Sequence, residues 1–184
     1  MLVPVAVAAA SPLLAWRDPV YIAAGFAGIA AMALMMVQPL LARGYLPGLP
    51  ARLSRRVHRI NGALLVFLVT LHVAGLWVTS PPDMIDALTF SSPTPFSNWG
   101  VIAMWALFVS AHSVKIRHYW RFGPANWRIA HAILAVVIVV TTVVHAVLVQ
   151  GTMGTKSKTA LGVFIAAALA IVVADVFRRS HRRR

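Results

Sequence analysis

The sequence predicts an all-α integral membrane protein, a single bundle of about five transmembrane helices. Three observations carry that prediction. The 184 residues are 60% hydrophobic and only 11% charged, with a mean hydropathy of +0.79, far from a soluble globular composition. Apolar runs of spanning length recur near 19–42, 53–79, 98–114, 126–149 and 158–178,. The net charge of +13 sits in short clusters between those runs, which is a topology signal before it is a nucleic-acid signal. Nucleic acid is therefore not an expected partner, whereas the lipid bilayer is.

The chain begins MLVPVAVAAASPLLAW. This resembles the core of a signal peptide but lacks the positive leading region. As a helix it would reach only ~24 Å, short of a crossing. Residues 1–18 are expected to form an apolar, interfacial lead-in. The first span, 19–42, carries Pro39 in its last turn, where the helix is expected to end or kink,. Its Met32, Met35 and Met36 suit packing better than copper binding,. The second span, 53–79, is followed by SPPDMIDALTFSSPTPFSN (80–98), with two aspartates and no basic residue. Within it, Met84–Phe90 is expected to form a short amphipathic helix, with Asp83 and Asp86 serving solubility. The third span, 98–114, is the shortest. The fourth, 126–149, comes after the basic loop HSVKIRHYWRFGPANWR. The fifth, 158–178, runs into RRSHRRR, so residues 19–178 form one expected transmembrane domain and 179–184 a basic tail suited to anionic lipid,.

Lysine and arginine orient the bundle. Arg43, Arg52, Arg55, Arg56 and Arg59 lie around the first connection, Lys115, Arg117, Arg121 and Arg128 around the third, and Arg178, Arg179, Arg182, Arg183 and Arg184 at the end. The other side has only Arg17, Lys156 and Lys158. The expected topology has the N-terminus outside and the C-terminus cytoplasmic; the expected location is a bacterial inner membrane.

The absence of cysteine excludes thiolate metal sites, thioether-attached haem and disulfides within the chain,. Four aspartates and no glutamate leave little for carboxylate catalysis,. The chemistry-bearing residues are histidines. Of seven, His58, His72, His131 and His145 fall within the second and fourth spans, fourteen residues apart in each. Fourteen residues return a helix to within ~40° of the same face and advance it ~21 Å. The two spans run in the same direction, so the four imidazoles form two levels, His58 with His131 and His72 with His145. Arg55 and Arg128 each precede a histidine by three residues, giving R-x2-H-x13-H twice.

Facing imidazoles at two depths suit six-coordinate haem, with Arg55 and Arg128 as partners for its propionates. Gly62 would either let the porphyrin approach or let helices pack,. Alternatives are interhelical hydrogen bonding, a metal site, or a proton path. Intramembrane ionisable groups at matched spacing favour a functional role. His112 and His118 border the third basic loop, either as interfacial polar residues or near an electron donor.

The repeated R-x2-H-x13-H, with Trp127-Arg128 and the basic loop before the second copy, resembles the ferric reductase-like transmembrane domain over roughly residues 50–150. Ferric reductases, NADPH oxidases and the haem subunit of the methionine sulfoxide repair system share that domain. The resemblance implies that His58, His72, His131 and His145 ligate two b haems that pass electrons across the bilayer. Two departures stand out: five predicted spans against the usual six, and no Gly-rich phosphate loop for a flavin or nicotinamide domain,. A separate donor, a flavoprotein reductase or a quinol, and an outer acceptor are therefore expected. The other functional expectation is a non-catalytic, haem-binding accessory subunit within a larger membrane complex.

Overall fold

Proline marks where four of the helices begin. Pro19, Pro81, Pro95 and Pro124 each open a helix, where a missing N–H removes no intrahelical bond. The computed structural model describes residues 6, 9, 14–116, 124–150 and 154–181. Its helices are α1 (Pro19–Arg43), α2 (Ala51–Thr79), α3 (Pro81–Leu88), α4 (Pro95–Ile116), α5 (Pro124–Leu148) and α6 (Thr155–His181), with no strand among the described residues. All but the short α3 are long and apolar enough to cross a membrane.

The five expected spans are therefore present, and α4 and α6 each run more than a turn longer than expected. α1 runs through Pro39 rather than stopping there. It ends at Gly44, whose φ of 69° is the left-handed conformation that closes a helix,. The expected amphipathic segment is also helical, but it starts earlier, on the proline pair, and covers Pro81–Leu88. Its Met84 and Ala87 are buried and Ile85 is exposed. His118 with Arg117 and Arg121, most of the 1–18 lead-in, and Arg182, Arg183 and Arg184 lie outside the described residues.

The bundle is built from two antiparallel pairs. α1 packs along α2 and α4 along α5, and α6 lies against both α1 and α5. α2 and α5 make little close backbone approach among the described residues, so the two helices that carry the paired histidines stay apart. The core joins the pairs through Met32 and Met35 of α1, Leu65 of α2, Leu107 of α4, Ile138 of α5 and Ile165 of α6. Both methionines are thus packing residues. On the outer surface α2 shows Ile60, Leu64, Phe67 and Leu71, a stripe at helical spacing that suits lipid.

Small residues set how closely the helices approach. At Gly75 an added Cβ would stand 2.7 Å from the Ala24 Cβ, and at Gly162 one would stand 3.1 Å from Val143 Cγ1. Such close contacts are the means of helix association where lipid is as apolar as the helices. Gly75→Val is expected to force α1 and α2 apart, costing about 1–3 kcal/mol by overpacking. Thermal unfolding of the purified protein in detergent checks it: a melting temperature below that of the parent is the expected result.

Candidate functional site

A polar side chain inside a bilayer must find its partner within the protein. Along the α1–α2 interface, α2 meets this demand with a ladder of bonds to α1 carbonyls. Ser54 Oγ donates to Leu41 O (2.7 Å), His58 Nδ1 to Gln38 O (3.1 Å), Asn61 Nδ2 to Leu34 O (3.1 Å) and His72 Nδ1 to Ala24 O (2.8 Å). As the α2 residue climbs from 54 to 72, its α1 partner descends from 41 to 24, which is antiparallel register almost residue for residue. Asn61 also donates to Gln38 Oε1 at 2.6 Å, and Gln38 Nε2 donates to His58 O at 3.1 Å. The amide pair thus braces the turn that carries His58.

The α4–α5 pair repeats this arrangement. His145 Nδ1 donates to Phe96 O at 2.8 Å, and His131 Nδ1 lies 3.2 Å from Ser110 Oγ. Two ring contacts add to it: Trp127 stacks on His131 at 5.1 Å, and Phe96 meets His145 edge-on at 6.0 Å. The i to i+4 spacing of Trp127 and His131 puts both on one face of α5.

These bonds decide which ring nitrogen is available. A backbone carbonyl only accepts, so Nδ1 of His58, His72 and His145 must carry the hydrogen. In the neutral ring Nε2 then holds the lone pair. No hydrogen bond to any of the four Nε2 atoms is found among the described residues. An imidazole held through Nδ1 with Nε2 open is the usual arrangement of a metal-ligating histidine.

The structure brings the four histidines together in the two expected levels. His72 and His145 lie within electrostatic range of each other, as do His131 and His58. Each is half-buried. Among the described residues no three donors of the His, Cys, Asp or Glu kind converge, whereas a tetrahedral zinc site needs such a set. Arg55 and Arg128 are exposed at the arginine-rich ends of α2 and α5. His112 is exposed on α4, where it borders a shallow groove with Trp105 and Phe108. Gly62 faces Gln38 of α1, with 3.2 Å from an added Cβ to Nε2. Of its two sequence readings, helix packing is the one the structure supports.

Sequence reasoning missed the residues that hold the rings. Gly28 and Gly100 are the clearest: an added Cβ would stand 3.1 Å from His72 Nδ1 at the first and 2.8 Å from His145 Nδ1 at the second. The signal was in the chain as a second repeat. A step of 72 residues takes Ala24, Gly28 and Gln38 to Phe96, Gly100 and Ser110, while a step of 73 takes Arg55, His58 and His72 to Arg128, His131 and His145. The helices that hold the histidines therefore meet those that bear them at corresponding positions in the two pairs, with one glycine in common.

A comparison with protein-family models matches residues 24–142 to the ferric reductase like transmembrane component. The matched stretch contains His58, His72 and His131 and stops just short of His145. No curated protein and no solved structure matches the chain. Gly100→Val is expected to displace the His145 ring from the Phe96 carbonyl and to destabilise the α4–α5 pair by about 1–3 kcal/mol through overpacking. Thermal unfolding of the purified variant in detergent measures it. Ser110→Ala, which removes a hydroxyl without crowding His131, is expected to have the smaller effect.

Proposed function

Because the chain belongs to the ferric reductase-like transmembrane component family, we propose that it is a b-type di-haem membrane cytochrome that carries electrons across the bilayer. In this reading His58 and His131 are the axial ligands at the arginine-rich level, and His72 and His145 those at the other. Bound there, haem iron supplies a reversible one-electron carrier at each level.

The observation that carries the reading is the common anchoring of the rings. Three of the four Nδ1 atoms donate to backbone carbonyls of a neighbouring helix, and the Nε2 atoms are left open. The donor set also fits: two neutral nitrogens per level, no thiolate in the chain, and glycines in contact with His72 and His145 where a Cβ would crowd the ring. The separation of α2 from α5 leaves room between the ligand-bearing helices.

The chain's own residues divide the work. Gln38, Ala24 and Phe96 hold three rings through their carbonyls, and Ser110 and Trp127 hold the fourth. The apolar helices exclude water and keep the dielectric low, and Arg55 and Arg128 serve as propionate partners. Residues 19–178 form the haem-binding domain, with 1–18 as lead-in and 179–184 as basic tail. The arginine-rich end faces the cytoplasm of a bacterial cell, where a separate flavoprotein reductase or a quinol delivers the electrons. They leave to an acceptor on the outer side.

Pyridine haemochrome analysis of the purified protein is expected to give two haems per chain, and zero would overturn the reading. His58→Ala and His72→Ala are each expected to lose one. In sealed vesicles, a membrane-impermeant reductant applied from the cytoplasmic side is expected to reduce both haems, and an impermeant oxidant on the outer side to reoxidise them. Reduction from the outer side alone would reverse the assigned direction.

A further inference from the structure

Lys158 is the one lysine or arginine, among those whose exposure is described, that the structure buries. It is only 5% exposed, and its Nζ donates to Val149 O at 2.6 Å. Lys156, two residues earlier, is exposed, so the start of α6 can send a lysine to the surface and does not do so here. A buried ammonium is costly unless it meets compensating charge or dipoles. Lys158 lies in the first turn of α6, where its own helix's dipole disfavours a cation,.

The end of α5 offsets that cost. Val149 comes directly after the last residue of α5, and its N–H donates to His145 O at 3.0 Å. Lys158 therefore closes the turn that begins at His145, at the negative end of the α5 dipole. The contact of Gly162 with Val143 keeps α6 and α5 antiparallel here. It places the Lys158 backbone roughly 6 Å of helix rise beyond the level of Val143, and so roughly 3 Å beyond that of His145. The other charges at this end differ in exposure. Arg17, Asp18, Asp83 and Lys156 are exposed, Asp86 is half-buried, and water screens exposed charges strongly,. At the other level Arg55 and Arg128 are exposed too.

We infer that Lys158 is a positioning residue for the His72/His145 level: it caps the turn that carries His145 and keeps an unscreened cation there, raising the reduction potential of iron held at that level. The inference rests on the haem reading proposed above. Its sign comes from charge. Reduction lowers the positive charge on the iron, so a nearby cation in a low dielectric favours the reduced form. Among the residues whose exposure is described, the buried cation lies at one level only, which favours transfer from the His58/His131 level to the His72/His145 level.

The test is a potentiometric titration of the haem α-band in full-length protein, in nanodiscs, for the parent, Lys158→Met and Lys158→Arg. His145→Ala identifies which component belongs to the His72/His145 level. The expected result is a downward shift of that component alone in Lys158→Met, with the parent value largely kept in Lys158→Arg. Loss of the component in Lys158→Met with retention in Lys158→Arg supports the positioning role of the cation at that level. Unchanged potentials in Lys158→Met, equal shifts of both components, or loss of the component in both variants would overturn it. A parent protein without haem overturns the underlying reading as well, so the two failures are distinguishable.

Discussion

The constraint on which this structure depends is that a bilayer supplies no hydrogen-bond partner for an imidazole. Each of the four paired histidines has to be satisfied by another helix, and each is satisfied through Nδ1 by the long helix that precedes its own in the chain. That single requirement fixes several things at once. It sets the antiparallel register of α1 on α2 and of α4 on α5, because the bonds recur one residue for one. It sets the distance between those helices, because a glycine contacts the ring at Gly28 and Gly100. It also leaves the other ring nitrogen of each histidine with no partner in its own helix pair.

Much of the fold could be read directly from the sequence, for a physical reason. The energetic demand of the bilayer is uniform along the chain, so spans announce themselves by length and hydropathy. Prolines at Pro19, Pro81, Pro95 and Pro124 announce where helices start. Pro39 was less legible. A proline in the last turn removes a bond that lies near the helix end, and whether the helix stops there depends on the residues beyond it. Here Gly44 supplies the left-handed residue that ends it, and Ser54 donates to the Leu41 carbonyl in the last turn. Those contacts come from a different helix or a later residue, so local propensity could not reveal them.

The candidate site was legible in its histidines and not in their supports. Two histidines fourteen residues apart define a face and two depths from helix geometry alone. Their supports are backbone carbonyls of Ala24, Gln38 and Phe96, and a carbonyl belongs to every residue type. Sequence patterns do not single out such atoms. They can show only the clearance these bonds require, and Gly28 and Gly100 are its trace. The same logic explains Gly62. A glycine on a haem-bearing helix suggests porphyrin approach, but the space it leaves is taken by the Gln38 amide that braces His58.

The correspondence between the two pairs carries a further consequence. The two helix pairs supply equivalent anchoring at both levels, so in the reading proposed above the anchoring alone would give an electron no preferred direction. Direction has to come from features the copies do not share. The ring supports differ in detail: at the arginine-rich level a Gln carbonyl faces a Ser hydroxyl, and at the other level two carbonyls act with two glycines. The larger asymmetry is α6, which has no counterpart in the repeat and lies against α1 and α5. It brings a buried lysine to the end of α5 that carries His145. An added helix that breaks the symmetry of the repeat is therefore where, on the haem reading proposed above, a difference in potential between the two levels would be built with the four histidines unchanged.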